Sequence, residues 1–296
     1  MIACFDIGGS AIRYAAADSA GQLGEVRSVS TPTMDFVAFT EALATLMAAD
    51  AHTGVAISLA GVIDPFDGRI QCANIPCLHG RRLAADLEEK LGLPVRIAND
   101  ADCFALAEAR AGAGRGHANV FGIILGTGVG GGLVLDGRLL TGAGGFAGEW
   151  GHGPVAASFA GTPPVAIPRF ACGCGQTGCL DTVGGARGLE RLHDTLHQQR
   201  LPSTAIVDAW LAGEPDAART IDCYVDLLAG PLAMLANTLG ASVMPVGGGL
   251  SRCAPLVDLL DRAVRARMLR RSDAPLLVVS QAGAEPGLLG AAWLAQ

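Results

Sequence analysis

Charged residues are scarce in this chain of 296 residues: Asp, Glu, Lys and Arg make up 17% of it. The net charge is −7 at pH 7, and no stretch gathers the basic residues into a stripe or cluster. Nucleic-acid binding therefore has no electrostatic footprint, and the acidic balance favours solubility. Apolar residues are plentiful at 50%, yet no run reaches the length that spans a bilayer. No signal sequence precedes the first apolar strand, so no membrane partner and a cytoplasmic location are expected. Low-complexity segments and short-period repeats are also absent. The first glycine motif, Asp6-Ile7-Gly8-Gly9-Ser10, lacks the Lys-Ser/Thr pair that would make it a Walker loop. It leads into a strand rather than a helix, which excludes the dinucleotide fingerprint.

What is present is glycine and cysteine. The 41 glycines cluster in short motifs between apolar strands, which points to close backbone approaches rather than disorder. The nine cysteines are odd in number and sit in a chain of reducing character, so thiols or a metal site fit better than a disulfide framework.

The length suits two domains. Ile2–Phe5, Ile12–Ala17 and Val26–Ser30 read as strands, and Phe36, Phe39, Leu43, Leu46 and Met47 recur at helical spacing. Val55–Leu59 reads as a buried strand. Leu83, Leu87 and Leu91 mark a short helix stopped by Gly92 and Pro94. Val95–Ile97 is a strand that delivers Asn99 and Asp100 at its end. Alternating strands and helices with buried apolar strands predict an α/β fold. Gly112–Gly116 is the expected boundary, giving one domain over 1–116 and another over 117–296, with the last helix able to pack back on the first. Phe121–Leu125 and Leu133–Leu135 then repeat the opening plan of strand, glycine turn, strand. Residues 141–171 read as a long loop, followed by two or three helices, the longest kinked or broken at Pro231. Val243–Val246 and Leu276–Val279 are the remaining strands, and Leu288–Leu294 is a closing helix.

Each chemical motif also has a plainer explanation. The Asp6–Ser10 turn can bring backbone N–H groups to phosphate oxygens at Gly8, Gly9 and Ser10, with Asp6 holding magnesium directly or through water; it can equally be a hairpin turn. Leu125-Gly126-Thr127-Gly128-Val129-Gly130-Gly131-Gly132 carries five glycines in seven residues, which weakens a strand unless something must come close. A barrel corner is the alternative there, but its recurrence after the first motif favours two phosphate loops. Asp100 reads as the N-cap of a helix; beside Asn99 it also suits a general base acting on a sugar hydroxyl. Cys172-Gly-Cys174-Gly-Gln-Thr-Gly-Cys179 places three thiols on a glycine-rich knuckle, with His152 as the natural fourth ligand of a closed, structural zinc site. Gly247-Gly248-Gly249 follows a strand and can accept adenine or ribose against its backbone, or serve as an ordinary strand-to-helix turn. The other cysteines read as core residues, and the other histidines as surface or structural.

As a set, DIGGS, LAGVID, ANIP, NDADCFALAEA, LGTGVGGG, GEWGH, CGCGQTGCLD and VGGGLS resemble the ROK family of sugar kinases, in the family's order and over nearly the whole chain. The resemblance implies an actin-like ATPase (ribonuclease H-like) fold with a cleft between two α/β domains. It also implies ATP-dependent phosphorylation of a hexose at O6 with Mg2+. NDADCFALAEA, ILGTGVGGGLV and RRLAADL are closest to the members acting on N-acetyl-D-glucosamine. Glucose, fructose and N-acetylmannosamine are the alternatives, and a sugar-sensing regulator is a remoter one. By match, Asp100 is the base. Asn74, Asn99, Glu149, His152 and Asp181 lie at the sugar, and Asp6, Gly8, Gly9, Ser10, Gly126, Thr127, Gly128, Gly248 and Gly249 at ATP. His152, Cys172, Cys174 and Cys179 hold zinc, and a homodimer is implied. Three positions depart from the family pattern: Ser10 replaces threonine, Ala11 a common lysine, and Asp181 a glutamate.

Overall fold

The computed structural model describes residues 1–296 except 65 and 73. Ala73, the first residue of ANIP, therefore lies outside the described residues. The chain folds as two compact units, one of 1–115, 132–148 and 282–296, the other of 116–131 and 149–281.

In chain order, the first unit begins with strands β1 (Ile2–Ile7), β2 (Ala11–Ala17) and β3 (Arg27–Ser30), then helix α1 (Phe36–Met47). β4 (Gly54–Leu59), β5 (Val62–Ile63), β6 (Ile70–Gln71), α2 (Leu83–Leu91), β7 (Val95–Asn99) and α3 (Asp100–Ala111) follow. Asp35 caps α1 through Val37 N and Ala38 N, and Gly92, at φ +67°, ends α2 in the left-handed conformation that glycine adopts without strain. The sheet runs β3-β2-β1-β4-β7. β1, β4 and β7 are parallel, so Ile7, Leu59 and Asn99 stand side by side at their carboxyl ends. Side chains alternate across the sheet. Phe5, Ile7, Ile57 and Leu59 pack into one core with Phe39, Leu43 and Leu87, and the small Cys4, Ala15 and Ala56 face the other way.

β8 (Asn119–Leu125), β9 (Val129–Leu135) and β10 (Arg138–Leu140) come next. Residues 141–171 are not wholly loop, since β11 (Phe159–Ala160) and β12 (Val165–Ala166) pair as a short hairpin. Four helices follow rather than two or three: α4 (Asp181–Gly184), α5 (Ala186–His197), α6 (Ser203–Leu211) and α7 (Pro215–Leu239). Pro231 does not break α7, because Leu227, Leu228, Leu232 and Ala233 are buried on both sides of it and tertiary packing outweighs the local cost. β13 (Met244–Gly247), α8 (Ala254–Arg267), β14 (Leu277–Val279) and α9 (Pro286–Leu294) complete the chain. The second sheet is ordered β10-β9-β8-β13-β14. β8 and β13 are parallel, with Ile124 opposite Gly247, so their glycine turns leave the sheet together.

The chain returns to the first unit twice after residue 116. The second return has a clear cause. α9 is apolar nearly all round, and its Leu288, Ala291 and Ala292 cover Cys4, Ala15 and Ala56. Gly290 lets it lie directly on α3, since a Cβ there would overlap the carbonyl of Cys103. No helix among the described residues is long and apolar enough to cross a membrane.

Candidate functional site

In the first unit, the candidate residues leave the carboxyl ends of adjacent parallel strands, where open α/β sheets bind ligands. The turn after β1 closes through Gly8 N–H donating to Ala11 O at 3.0 Å. Thr31, which the motifs did not flag, pins the same turn by donating from its hydroxyl to Gly8 O at 2.7 Å. Gly9 lies against Asn74, whose carbonyl oxygen would be 3.2 Å from a Cβ at position 9. Asp6 accepts from the Ser58 hydroxyl at 2.9 Å and lies 3.8 Å from Arg13. Burial pushes its carboxyl above the usual range, against the opposing pull of Ser58 and Arg13.

At the end of β7 the cap is Asn99, not Asp100. Asn99 is extended at φ −61°, ψ 152°, and its Oδ1 accepts from Ala101 N at 2.7 Å. Its Nδ2 donates to Gly61 O at 3.0 Å, which ties the LAGVID turn to α3. Asp100 is the first helical residue and is exposed; its Oδ1 also meets Ala101 N at 2.9 Å.

In the second unit, the loop between β8 and β9 is shorter than the glycine run. Gly126–Gly128 form the turn, and Gly130, Gly131 and Gly132 are strand residues. Gly132 is needed for packing instead: a Cβ there would come within 2.6 Å of Ala101 O. The turn is locked by backbone on both sides. Ala186 N and Arg187 N, at the start of α5, donate to Gly126 O and Thr127 O at 2.8 and 3.2 Å. Gly248, at φ +87°, lies so close that a Cβ would overlap the Leu125 carbonyl. A cavity of about 640 Å3 opens beside this stack, lined by Gly126, Thr127, Val207, Leu211, Gly249 and Leu250 among others. Ser203, Thr204, Asp208, Arg252 and Cys253 also line it. None of these five stands in a motif, so only their position in the fold reveals them; Cys253 is a wall residue there, not core.

The GEWGH loop is braced to β9. Trp150 Nε1 donates to Gly130 O at 2.8 Å, and Asp181 N donates to Gly151 O at 2.9 Å. Asp181 Oδ1 accepts from Val129 N at 3.0 Å, so this carboxylate is engaged with the phosphate-loop strand. Glu149 is half-buried, which pushes its carboxyl up; His152 opposes the shift and Asp181 adds to it. His152 Nε2 lies 3.7 Å from Glu149, while its Nδ1 lies 3.6 Å from Cys172 Sγ. Cys174 and Cys179 sulfurs are 3.6 Å apart. The ligand atoms of His152, Cys172, Cys174 and Cys179 all lie within 4.8 Å of one another. A tetrahedral ion with bonds of about 2.0–2.3 Å separates its ligands by roughly 3.3–3.8 Å, so the four could hold one metal ion.

The ROK family profile matches residues 2–296. The chain belongs to the ROK family. It is 38% identical over 294 residues to an N-acetylgalactosamine kinase of Shewanella sp. (strain ANA-3), covering 98% of this chain and 94% of that protein. It is 36% identical over 295 residues to an N-acetyl-D-glucosamine kinase of Yersinia pseudotuberculosis, covering 98% and 97%. Among solved structures, a ROK glucokinase of Streptomyces griseus in complex with glucose and AMPPNP superposes with a TM-score of 0.77 at 27% identity, covering 98% and 97%. The fold is the actin-like ATPase fold of the ROK sugar kinases.

Within this ROK chain, the motif residues gather in two sets. Asp6, Gly8, Gly9, Ser10, Asn74, Asn99 and Asp100 share the strand ends of the first unit. Gly126, Thr127, Gly128, Gly248, Gly249, Glu149, His152, Asp181 and the three cysteines belong to the second. His193 and His197 share the Thr220 hydroxyl at 2.9 and 3.2 Å, a structural role. Gly248→Ala is expected to cost about 1–3 kcal/mol in denaturant unfolding, through left-handed strain and overlap with residue 125. Gly249→Ala, with nothing within 4 Å of its Cβ, should leave stability unchanged. Equal stability of the two variants would contradict the backbone stack.

Proposed function

We propose that this chain transfers the terminal phosphoryl group of ATP to O6 of N-acetyl-D-glucosamine. The observation that carries the reading is Asp100, exposed at the first residue of α3 directly after a parallel strand. Its helix is capped by Asn99, which also holds the Gly61 turn. In this reading Asp100 takes the proton of the sugar hydroxyl as O6 attacks the γ-phosphorus. The O6–P bond forms, the bond to the bridging oxygen breaks, and ADP leaves with the electron pair. Asn74, Asn99, Glu149 and His152 orient the sugar hydroxyls. With Gly8 and Gly126 closing the two turns through their own N–H groups, Gly9, Ser10, Thr127 and Gly128 offer N–H groups to phosphates, and Gly248 and Gly249 flank the nucleoside. Asp6 would hold Mg2+, which neutralises developing phosphate charge when bound. A positioned base contributes about 10² to 10⁴ in rate. Asp100→Asn should lose that much turnover and keep measurable sugar binding by calorimetry; near-normal turnover would reject the base assignment.

In the same reading His152, Cys172, Cys174 and Cys179 hold one structural zinc that fixes the loop bearing Glu149. Elemental analysis is expected to find about one zinc per chain, from the four-ligand count. Cys174→Ser should lose the metal and the sugar affinity together. A metal-free preparation with full sugar affinity would separate the two and sink the coupling.

The sugar itself has a second reading. The 38% identical relative acts on N-acetylgalactosamine by name, and that sugar differs only in the direction of its 4-hydroxyl. Asp181 bears on the choice. Its Oδ1 already accepts the Val129 N–H, so contact with a sugar hydroxyl falls to its other oxygen or runs through water. A site that pairs the N-acetyl amide should reject plain glucose, because a buried partner would be left unsatisfied. A coupled ADP-release assay over N-acetylglucosamine, N-acetylgalactosamine, N-acetylmannosamine, glucose and fructose is expected to give N-acetylglucosamine the highest kcat/KM. A higher value for its 4-epimer would transfer the assignment to N-acetylgalactosamine, and a higher value for glucose or fructose would remove the N-acetyl reading.

A further inference from the structure

The Gly126–Gly128 turn stands between two hollows of the second unit. On one side is the 640 Å3 cavity, walled by Val207, Leu211 and Leu250. On the other is a hollow of about 320 Å3 lined by Thr127, Gly128, Asp181, Thr182, Arg187 and Arg191 among others. Thr127 belongs to both walls. The first two residues of α5 straddle the divide: Ala186 lines the larger hollow and Arg187 the smaller.

The two arginines differ in what they are committed to. Arg191 donates from Nη1 to Thr182 O, and its guanidinium stacks 5.1 Å from the Phe170 ring centre. Arg187 is exposed, and among the described residues no carboxylate lies within ion-pair distance of it. Only its backbone is engaged, with N–H donating to Thr127 O at 3.2 Å. That bond fixes the root of the side chain beside the phosphate turn and leaves the guanidinium available.

A triphosphate needs cationic partners, and at these hollows only arginines supply them: Arg252 at the larger, Arg187 and Arg191 at the smaller. Lys90 is the chain's only lysine and lies on α2 in the first unit. Ala11 follows the Asp6–Ser10 turn, so that turn carries no lysine at its end. Within the smaller hollow Asp181 contributes a negative charge, which a phosphate would meet as repulsion unless a cation offsets it.

We propose that Arg187 binds the polyphosphate tail of the donor nucleotide. The base and ribose occupy the larger cavity, and the phosphates cross Thr127 into the smaller hollow. A guanidinium is always charged and presents a planar fork that matches two phosphate oxygens at once. The inference rests on the kinase reading above, because it assumes a nucleotide in the larger cavity.

The test measures dissociation constants of ATP, ADP and AMP by calorimetry on the full chain, in wild type, Arg187→Ala and Arg187→Lys. Arg187→Ala should weaken ATP about ten- to a hundredfold, the range of a lost charge-assisted contact, and AMP by less than about twofold. Arg187→Lys should fall between, since it keeps the charge and loses the fork; it carries the test alone if the alanine variant does not fold. Unchanged zinc content and sugar affinity would show that the loop and knuckle are intact. ATP affinity equal to wild type in the variants would overturn the assignment, and so would equal losses for AMP and ATP, which would mean a distorted turn. Wild type that binds no ATP would overturn the kinase reading with it. Wild type that binds and uses ATP while the variants match it would overturn Arg187 alone.

Discussion

Everything in the second unit depends on backbone lying directly on backbone at the Gly126–Gly128 turn. Gly185 approaches so closely that a Cβ on it would overlap the Gly128 backbone, and Gly248 does the same to Leu125. Gly128 has no room for a side chain against Asp181. The two carbonyls of the turn are satisfied by the first N–H groups of α5, groups that a helix start otherwise leaves unpaired. The arrangement meets two demands together: the helix start needs acceptors, and the turn needs its carbonyls turned away from any phosphate. Within the turn Gly126 N–H donates to Gly128 O at 3.0 Å, which leaves Thr127 and Gly128 as the N–H groups an anion could meet.

The same economy appears in the first unit at the level of the sheet. Parallel pairing of β1, β4 and β7 aligns Ile7, Leu59 and Asn99, so the residues just beyond them are neighbours without any further device. The helices on the two faces need different residues. Bulky Phe5, Ile7, Ile57 and Leu59 fill the α1–α2 side, and Cys4, Ala15 and Ala56 admit α9 closely on the other. A small-residue face is what lets the last helix come home to the first strand.

Much of this was legible in the sequence because the signals were local. Apolar strands, the Gly92 stop and the cysteine spacing each depend on a few neighbouring residues. The failures came where tertiary contact decides. Asp100 looked like a cap because both residues of the Asn-Asp pair can cap. Asn99 takes the role because β7 ends one residue before the helix begins and hands Asn99 the extended conformation. Gly130–Gly132 looked like loop, yet all three are strand residues, and Gly132 answers the approach of α3 to β9. Pro231 looked like a break, which a buried helix tolerates. Part of the large cavity's wall comes from α6 and from the segment leading into α8, which carry no motif, so no local pattern could single out Asp208 or Arg252.

Three of the candidate carboxylates, Asp6, Asp100 and Glu149, sit in different surroundings. Asp6 is disfavoured as an anion chiefly by burial, and a cation bound beside it would favour its charged form. Asp100 is exposed, where a sugar hydroxyl can approach and a proton can leave. Glu149 is pushed up chiefly by burial, with His152 opposing the shift. Nδ1 of that ring faces Cys172 and Nε2 faces Glu149. If a metal ion takes Nδ1, the proton must reside on Nε2, and the ring becomes a fixed donor toward Glu149. Metal-bound histidines commonly point their second nitrogen at a carboxylate in this way. An ion bound by the knuckle would thus set the tautomer of one imidazole, and that tautomer would orient Glu149.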